Sequence, residues 1–206
     1  MSEQGTDGWK AQRLGRVTAS RMADVMAKPT TAAYRNYVAQ LMTERDTGIP
    51  TDSFTSTAMQ WGTDTEPQAR AAYEWNETRV VVETGFVPHP TIADTGASPD
   101  GLVDEDGLIE IKCPNTATHY ATLLSGTIDR KYVLQMQWQM ACTGRTWCDF
   151  VSFDPRVSPA KQYFCKRIAR DDDLIAELEA AVVTMLEEVK RDLSKLNELY
   201  PEQEAA

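Results

Sequence analysis

Apolar and polar positions along the chain follow two periods, one of about two residues and one of about 3.6 residues. The two-residue period is typical of strands and predicts them at residues 78–87, 98–103, 108–112, 147–153 and 161–168. The longer period predicts amphipathic helices at residues 33–45, 68–75, 131–141 and 171–197. Because strands and helices are interspersed, we expect an α/β fold with a central mixed β-sheet flanked by helices.

Asp106-Gly107 lies between two apolar runs and is a strong signal for a hairpin turn. A turn centred on Glu105 sets Asp100 opposite Glu110. Directly opposed residues have Cβ atoms ~4.5–5.5 Å apart. Side chains alternate along a strand, so Glu110 and Lys112 share one face while the neighbouring isoleucines take the other. The hairpin is therefore predicted to present two carboxylates and one ammonium group together.

Two carboxylates held this close repel each other, and a divalent cation relieves the repulsion. Oxygen ligands suit Mg²⁺, which lowers the pKa of a bound water and stabilises charge on a phosphodiester under attack. Lys112 is placed to hold that water or to neutralise the developing charge. A generic spacing of this kind more often marks an acidic hairpin tip with a surface salt bridge. Pro99 before Asp100 and the Ile-Glu-Ile-Lys alternation make the chemical interpretation more specific here.

The same stretch resembles the PD-(D/E)xK nuclease signature, with Pro99-Asp100 followed by Glu110-Ile111-Lys112. Further motifs occur in the order seen in the phage lambda exonuclease and YqaJ-type viral recombinase family: Trp9…Arg13-Leu14-Gly15…Thr18-Ala19-Ser20, Trp61-Gly62…Glu66, Ser98-Pro99-Asp100-Gly101, Gln135-Met136-Gln137 and Asp154-Pro155-Arg156. The resemblance runs from about residue 9 to residue 170. It implies a restriction-endonuclease-like PD-(D/E)xK core and a Mg²⁺-dependent 5′→3′ exonuclease on duplex DNA, releasing mononucleotides and leaving a 3′ single strand for recombination.

The resemblance also implies a set of site residues. Asp100, Glu110 and the backbone carbonyl of Ile111 are expected to bind two Mg²⁺ ions, for which Mn²⁺ would substitute. Lys112 is expected to position the attacking water, Gln135 to support it, and Glu66 to assist as a third acidic group. Related nucleases often carry Gln-x-x-x-Tyr where this chain has Gln135 and Gln139, so the role of Gln139 stays open.

A second group of residues concerns the DNA end. The guanidinium of Arg13 suits a phosphate, and Ser20 supplies a hydroxyl near a predicted helix N-terminus. A helix cap and a surface arginine would explain both residues equally well. The resemblance favours binding of the terminal 5′ phosphate by Arg13 and Ser20 together with Ser98. Met59 fits either a core position or an apolar wedge at the DNA fork.

The net charge of −10 argues against DNA binding only if it is spread evenly, and it is not. Residues 171–206 hold eleven acidic and three basic residues, whereas residues 1–45 hold seven basic and four acidic ones. Phosphate binding depends on where cations cluster. We therefore expect double-stranded DNA ends as partners. The resemblance implies a homotrimeric ring around the DNA and a single-strand annealing protein as a further partner, and the charge distribution fits a ring whose channel is lined by the basic part. A monomer whose C-terminal helix packs on its own core is the alternative.

The remaining features set the context. The chain of 206 residues suits a single nuclease domain, with residues 1–8 disordered. The four cysteines lack paired spacing, which predicts reduced thiols. A basic, apolar leader and a run of about 20 apolar residues are both missing, so we expect a cytoplasmic protein without a membrane partner, in the host cell if phage-encoded. A PD-(D/E)xK endonuclease and a non-catalytic DNA-end-binding protein are the alternative functions.

Overall fold

The computed structural model describes residues 4–51 and 56–201. In these parts of the chain the helices are α1 (Asp7–Arg13), α2 (Met22–Val25), α3 (Ala32–Thr47), α4 (Thr57–Glu77), α5 (Thr116–Ser125), α6 (Arg130–Thr143) and α7 (Asp172–Leu199). The strands are β1 (Val17–Thr18), β2 (Val81–Val82), β3 (Val87–Pro88), β4 (Thr95–Ala97), β5 (Gly101–Val103), β6 (Gly107–Lys112), β7 (Trp147–Phe153) and β8 (Tyr163–Ala169).

A five-stranded sheet in the order β2-β5-β6-β7-β8 forms the centre of the molecule. β6 runs parallel to β7, while the other neighbours are antiparallel, so the predicted mixed sheet is confirmed. Side chains alternate along β6, so the strand packs against a different helix on each face of the sheet. Ile109 packs with Ala69 and Tyr73 of α4, whereas Leu108 packs with Met136 of α6 on the opposite face.

A second sheet in the order β1-β4-β3 lies beside a helical cluster. Its core includes Val17 of β1, Leu41 of α3, Trp138 of α6 and Val182 of α7, all buried. The apolar side of α7 is thus covered by the rest of the chain from Ile175 to Val189, whereas Leu196 and Leu199 near its end are exposed. Asp171 caps this helix by accepting a hydrogen bond from the Leu174 amide at 3.0 Å, as the acidic run at its start predicts.

Several local predictions were wrong. The β-branched run 78–87 is not one strand, because the chain leaves the central sheet after Val82 and enters the second sheet at Val87. The helix predicted at 68–75 begins eleven residues earlier, where the Ser56 hydroxyl accepts a hydrogen bond from the Met59 amide. Pro67 therefore lies inside α4 rather than at its start.

The N-terminal part differs as well. Residues 1–3 lie outside the described residues. The disorder predicted for 1–8 is wrong at Asp7 and Gly8, because these residues form the first turn of α1, which is capped by the side chain of Thr6. The helix N-terminus predicted near Ser20 is a 3-10 turn over Ala19–Arg21, which follows β1 and leads into the short α2. Thr18, just before this turn, pairs in register with Gly96 and makes no side-chain cap.

The turn between β5 and β6 has the predicted register but uses different residues. Leu102 pairs with Leu108 and Val103 with Gly107, so Asp104 and not the glycine adopts the left-handed conformation, with φ 48°. Gly107 is a strand residue, and a Cβ there would overlap the ring of Trp147. Glycine is required by this close approach rather than by the turn.

All four cysteines are free, with Cys142 and Cys148 buried and Cys113 and Cys165 partly exposed. The prediction of reduced thiols stays a prediction. Among the described helices, none combines the length and apolar character needed to cross a membrane.

Candidate active site

Strands β5 and β6 bring the two predicted carboxylates together. Continuing the register beyond the Gly101–Ile109 pair sets Asp100 opposite Glu110. Asp100 Oδ2 accepts a hydrogen bond of 2.7 Å from the Ile111 amide, which fixes the aspartate at the end of the strand pair. Glu110 is fully buried in the middle of the sheet.

Helix α6 and Lys112 surround the Glu110 carboxylate. Gln135 Nε2 donates to Oε1 at 2.7 Å, and Gln139 Nε2 donates to Oε2 at 2.6 Å. The two glutamines lie one helical turn apart on the same face of α6, as residues four apart do. Lys112 Nζ contacts the same Oε1. Gln139 thus belongs to the site, although the sequence left its role open; its four-residue spacing from Gln135 was the available signal.

The charges of the site influence one another. Burial raises the pKa of Asp100 well above its ordinary value, and the nearby Glu110 and Glu66 carboxylates raise it further. Burial works against the charge on Lys112, but attraction to Glu110 and Asp100 outweighs it and raises the pKa of the ammonium. Lys112 is therefore a stable cation between two acids.

An open cavity of about 400 Å³, here called the carboxylate cavity, gives access to this group. It is lined by Ala58, Met59, Gly62, Glu66, Asp100, Ile111, Lys112, Cys113, Pro114 and Tyr132. Glu66 reaches it from α4 and accepts a hydrogen bond of 2.8 Å from Arg70 Nη2. Burial raises the pKa of Glu66, partly offset by Arg70. The structure thus brings together Asp100, Ile111, Lys112 and Glu66, with Glu110 and Gln135 directly behind Lys112.

The donor set fits a divalent cation. Two acidic side chains and the main chain of Ile111 meet at one cavity wall, and a cation would relieve the repulsion that raises the pKa of Asp100. Across residues 4–51 and 56–201, no group of three or more His, Cys, Asp and Glu side chains is arranged to hold a metal.

A second cavity of about 300 Å³, here called the arginine cavity, contains most of the predicted phosphate-binding residues. Its basic lining side chains are Lys10, Arg13, Arg16 and Arg21. Ser20 also lines this cavity, and its Oγ lies 3.4 Å from Thr18 Oγ1. Met59 lines both cavities and is 59% exposed, so it marks the passage between them.

Ser98 joins this group through Trp9. The indole Nε1 of Trp9 donates to Ser98 Oγ at 2.9 Å, and the Arg13 guanidinium stacks over the Trp9 ring at 4.2 Å. The sequence reasoning quoted Trp9 within a motif but gave it no role. In the structure it is the link between the predicted arginine and the predicted serine.

Arg156 contacts Pro114, one of the residues that line the carboxylate cavity. Its guanidinium stacks on Trp61 of α4 at 4.3 Å and donates to the carbonyl of Pro114 at 2.9 Å. It also pairs with Asp154 at the end of β7. One side chain thus joins the ends of α4, β6 and β7 around the cavity, a structural role that the Asp-Pro-Arg motif did not disclose.

Three solved structures similar to this chain are those of exonucleases. Two structures of an alkaline exonuclease from Laribacter hongkongensis, one in complex with dAMP, are 52% identical to this chain. Each covers 94% of this chain and 97% of its own, with TM-scores of 0.89 and 0.90. A phage-related exonuclease from Haemophilus somnus 129PT is 16% identical, covers 88% of this chain and 96% of its own, and shares the fold at a TM-score of 0.69. A comparison with curated proteins gave no match.

The fold, the site and these similarities define an exonuclease with an α/β nuclease core. The model of the YqaJ-like viral recombinase domain matches residues 8–146, which is more than half of the chain. The chain belongs to this family, and the resemblance predicted from its motifs is confirmed.

Proposed function

We propose that the protein is a Mg²⁺-dependent deoxyribonuclease that degrades one strand of duplex DNA from its 5′ end. The observation that carries this proposal is the meeting of Asp100 and Lys112 at one cavity wall, with Glu110 in contact with Lys112, in a chain 52% identical to an alkaline exonuclease. The products would be mononucleotides and a 3′ single strand that serves recombination. We assign these properties to one nuclease domain.

Each residue at the carboxylate cavity has a proposed role. Asp100, Glu110 and the Ile111 carbonyl would hold Mg²⁺, with Mn²⁺ as a substitute. When bound, the metal supplies acidity to a water and positive charge for the phosphate. Lys112 Nζ donates hydrogen bonds, so it would orient the attacking water and neutralise charge on the phosphate. Gln135 keeps Glu110 in place through its 2.7 Å hydrogen bond, and Glu66 would assist from α4.

The 5′ polarity is proposed from the arginine cavity. Arg13, Ser20 and Ser98, linked through Trp9, offer a guanidinium and two hydroxyls to a terminal phosphate. Met59 lies between this cavity and the carboxylate cavity, where an exposed apolar side chain would separate the two strands. A phosphate at one cavity and the scissile bond at the other fixes which end is degraded.

Assembly and partners extend the proposal. Three copies in a closed ring would enclose the duplex, with the basic N-terminal part facing the channel. Most of the apolar side of α7 packs inside the chain, so the ring would form mainly through other surfaces. The exposed Trp75, Val80 and Val82 are candidates. A single-strand annealing protein as partner and the host-cell cytoplasm as location stay predictions.

The test compares end-labelled linear duplex with covalently closed circular duplex in Mg²⁺. We expect early release of 5′-labelled mononucleotides, an intact circle, and no cleavage after addition of EDTA. Asp100→Ala and Glu110→Ala should reduce cleavage to background while DNA binding persists, because phosphate contacts elsewhere remain.

Each alternative gives a different result. Cleavage of the closed circle would identify an endonuclease. Binding of ends by the wild-type protein without cleavage would identify a DNA-end-binding protein. Near wild-type turnover by either alanine variant would refute the site assignment alone.

A further inference from the structure

The Glu110 carboxylate is held from both of its oxygens by one helix. Gln135 and Gln139 of α6 donate to Oε1 and Oε2 at 2.7 and 2.6 Å. A carboxylate that accepts a hydrogen bond at only one oxygen still rotates about its terminal torsion angle. Two donors that bind different oxygens fix the plane of the carboxylate. The pair therefore sets the orientation of Glu110 in the buried interior.

The hydrogen bonds leave the two oxygens unequal. Each carboxylate oxygen accepts at about two lone-pair positions. Oε1 uses one with Gln135 and one with Lys112, while Oε2 uses one with Gln139. Oε2 is thus the oxygen that keeps an acceptor position for a further ligand.

Gln139 contributes to this arrangement at a cost to the fold. The side chain is fully buried, and its Oε1 has no hydrogen-bond partner among the described residues. A buried polar atom without a partner destabilises the fold, and a hydrogen bond to a charged group offsets that loss. An apolar side chain of equal size would serve packing as well, so the contact with Glu110 is what distinguishes glutamine here.

Gln137, two residues earlier on α6, shows what a purely structural glutamine looks like. It is equally buried, but its Nε2 donates to the Ala169 carbonyl at 2.8 Å and its Oε1 accepts from the Asp171 amide at 2.9 Å. Both ends are satisfied by backbone, and neither contacts the carboxylates. It therefore provides a matched control for Gln139.

We infer that Gln139 is a positioning residue that, together with Gln135, orients Glu110 so that Oε2 is offered to the divalent cation. The inference rests on the proposed metal-dependent function. Partners that orient a metal-binding side chain typically change metal affinity by about 10- to 100-fold when they are removed. Gln139 is expected to act at this level and not to contact the DNA.

The test measures Mn²⁺ binding to the DNA-free protein by electron paramagnetic resonance. Gln139→Met, of similar volume, should weaken the Kd for Mn²⁺ by about 10- to 100-fold. The metal concentration for half-maximal cleavage should rise in parallel, while KM for DNA stays unchanged. Gln137→Met should lower the thermal midpoint but leave the Kd for Mn²⁺ within about twofold of wild type.

Thermal unfolding shows whether each variant is folded, and Gln139→Leu replaces the methionine variant if that one is not. A Kd for Mn²⁺ within twofold of wild type in a folded Gln139 variant would overturn the inference, as would an equal loss in Gln137→Met. A wild-type protein that binds no Mn²⁺ and cleaves no DNA would instead overturn the proposed function on which the inference rests.

Discussion

Asp154 shows how a fully buried carboxylate stays charged beside the carboxylate cavity. It accepts hydrogen bonds from Thr116 Oγ1 at 2.6 Å and from Arg156 Nε at 2.7 Å. Burial alone would raise the pKa of Asp154, but these hydrogen bonds outweigh it and lower the pKa to about 2. The charge therefore stabilises the folded protein in neutral solution.

This pairing predicts a pH-dependent stability. The folded pKa of Asp154 lies below its ordinary value of 3.8, so its contribution is present above about pH 4 and is lost as the pH falls towards 2. Asp154→Asn should lower the free energy of unfolding by roughly 1–3 kcal/mol at pH 7. Denaturant unfolding at several pH values measures the difference, which should shrink below pH 4.

The control is Asp192→Asn, which removes an exposed ion pair with Arg191. Surface pairs are worth up to about 1 kcal/mol, so this variant should change little at any pH. A constant difference between wild type and Asp154→Asn from pH 7 to pH 3 would contradict the prediction.

The sequence predicted single site residues where they follow from strand register. Asp100, Glu110 and Lys112 were placed by alternation and by the hairpin turn, and the structure brings them together. The roles of Gln139 and Arg156 were not predicted, because they depend on packing between elements that are distant in the sequence. A helix periodicity shows which side chains share a face, but it does not show which strand that face contacts.

Helix α4 carries Glu66 and Gly62 to the carboxylate cavity and continues across Pro67. The apolar periodicity before Pro67 is weak, and proline inside a helix removes one hydrogen bond, so the sequence favoured a later start. Similarly, the run 78–87 has the composition of one strand but is divided between two sheets. Tertiary pairing, which local patterns do not encode, decides both outcomes.

Gly62 offers a test of whether the DNA substrate approaches α4. An added Cβ would meet nothing within 4 Å, so Gly62→Ala should stabilise the fold by about 0.5–1 kcal/mol through helix propensity. The new methyl group would enter the cavity proposed for the substrate, so cleavage should slow. Denaturant unfolding and a nuclease assay measure the two effects.

Ala71→Gly on an exposed turn of the same helix is the matched control. It should cost about as much stability as Gly62→Ala gains and leave cleavage unchanged. Faster or unchanged cleavage by Gly62→Ala would show that the substrate does not approach this part of α4.

The elements around the arginine cavity predict a preference for phosphorylated ends. Duplex with a 5′ phosphate should be degraded faster than duplex with a 5′ hydroxyl, since a guanidinium binds the phosphate dianion. Arg13→Ala should remove most of this preference, on the order of 10- to 100-fold. Arg35→Ala, on an exposed part of α3, should keep it. Equal rates on both substrates with the wild-type protein would rule this pocket out.

At the scale of the whole chain, an acidic C-terminal helix is combined with a basic cavity formed by N-terminal residues. This division was visible in the sequence, because charge is read directly from composition. The arginine cavity itself was not predicted from the sequence, because it depends on how α1, the 3-10 turn and α3 pack together. Glu44 is buried in that cavity and accepts hydrogen bonds from the Gly15 amide and Thr51, which holds the surrounding loops in place.

Assembly gives the last prediction. A compact chain of 206 residues has a radius of gyration of roughly 17 Å, too small to surround a duplex. Light scattering of the purified protein should give three times the mass of one chain. A monomer at micromolar concentration would refute the ring, while leaving the proposed chemistry of the carboxylate cavity intact.

The four thiols, two of them buried and two partly exposed, have a practical consequence for labelling. Burial raises the pKa of Cys113 and of Cys165 to about 12, and it raises the pKa of Cys142 and Cys148 as well. A raised pKa keeps a thiol protonated in neutral solution, and the thiolate is the reactive form. Maleimide dyes should therefore react selectively with a cysteine introduced at the surface, so the native sequence already suits single-molecule observation of the enzyme on DNA.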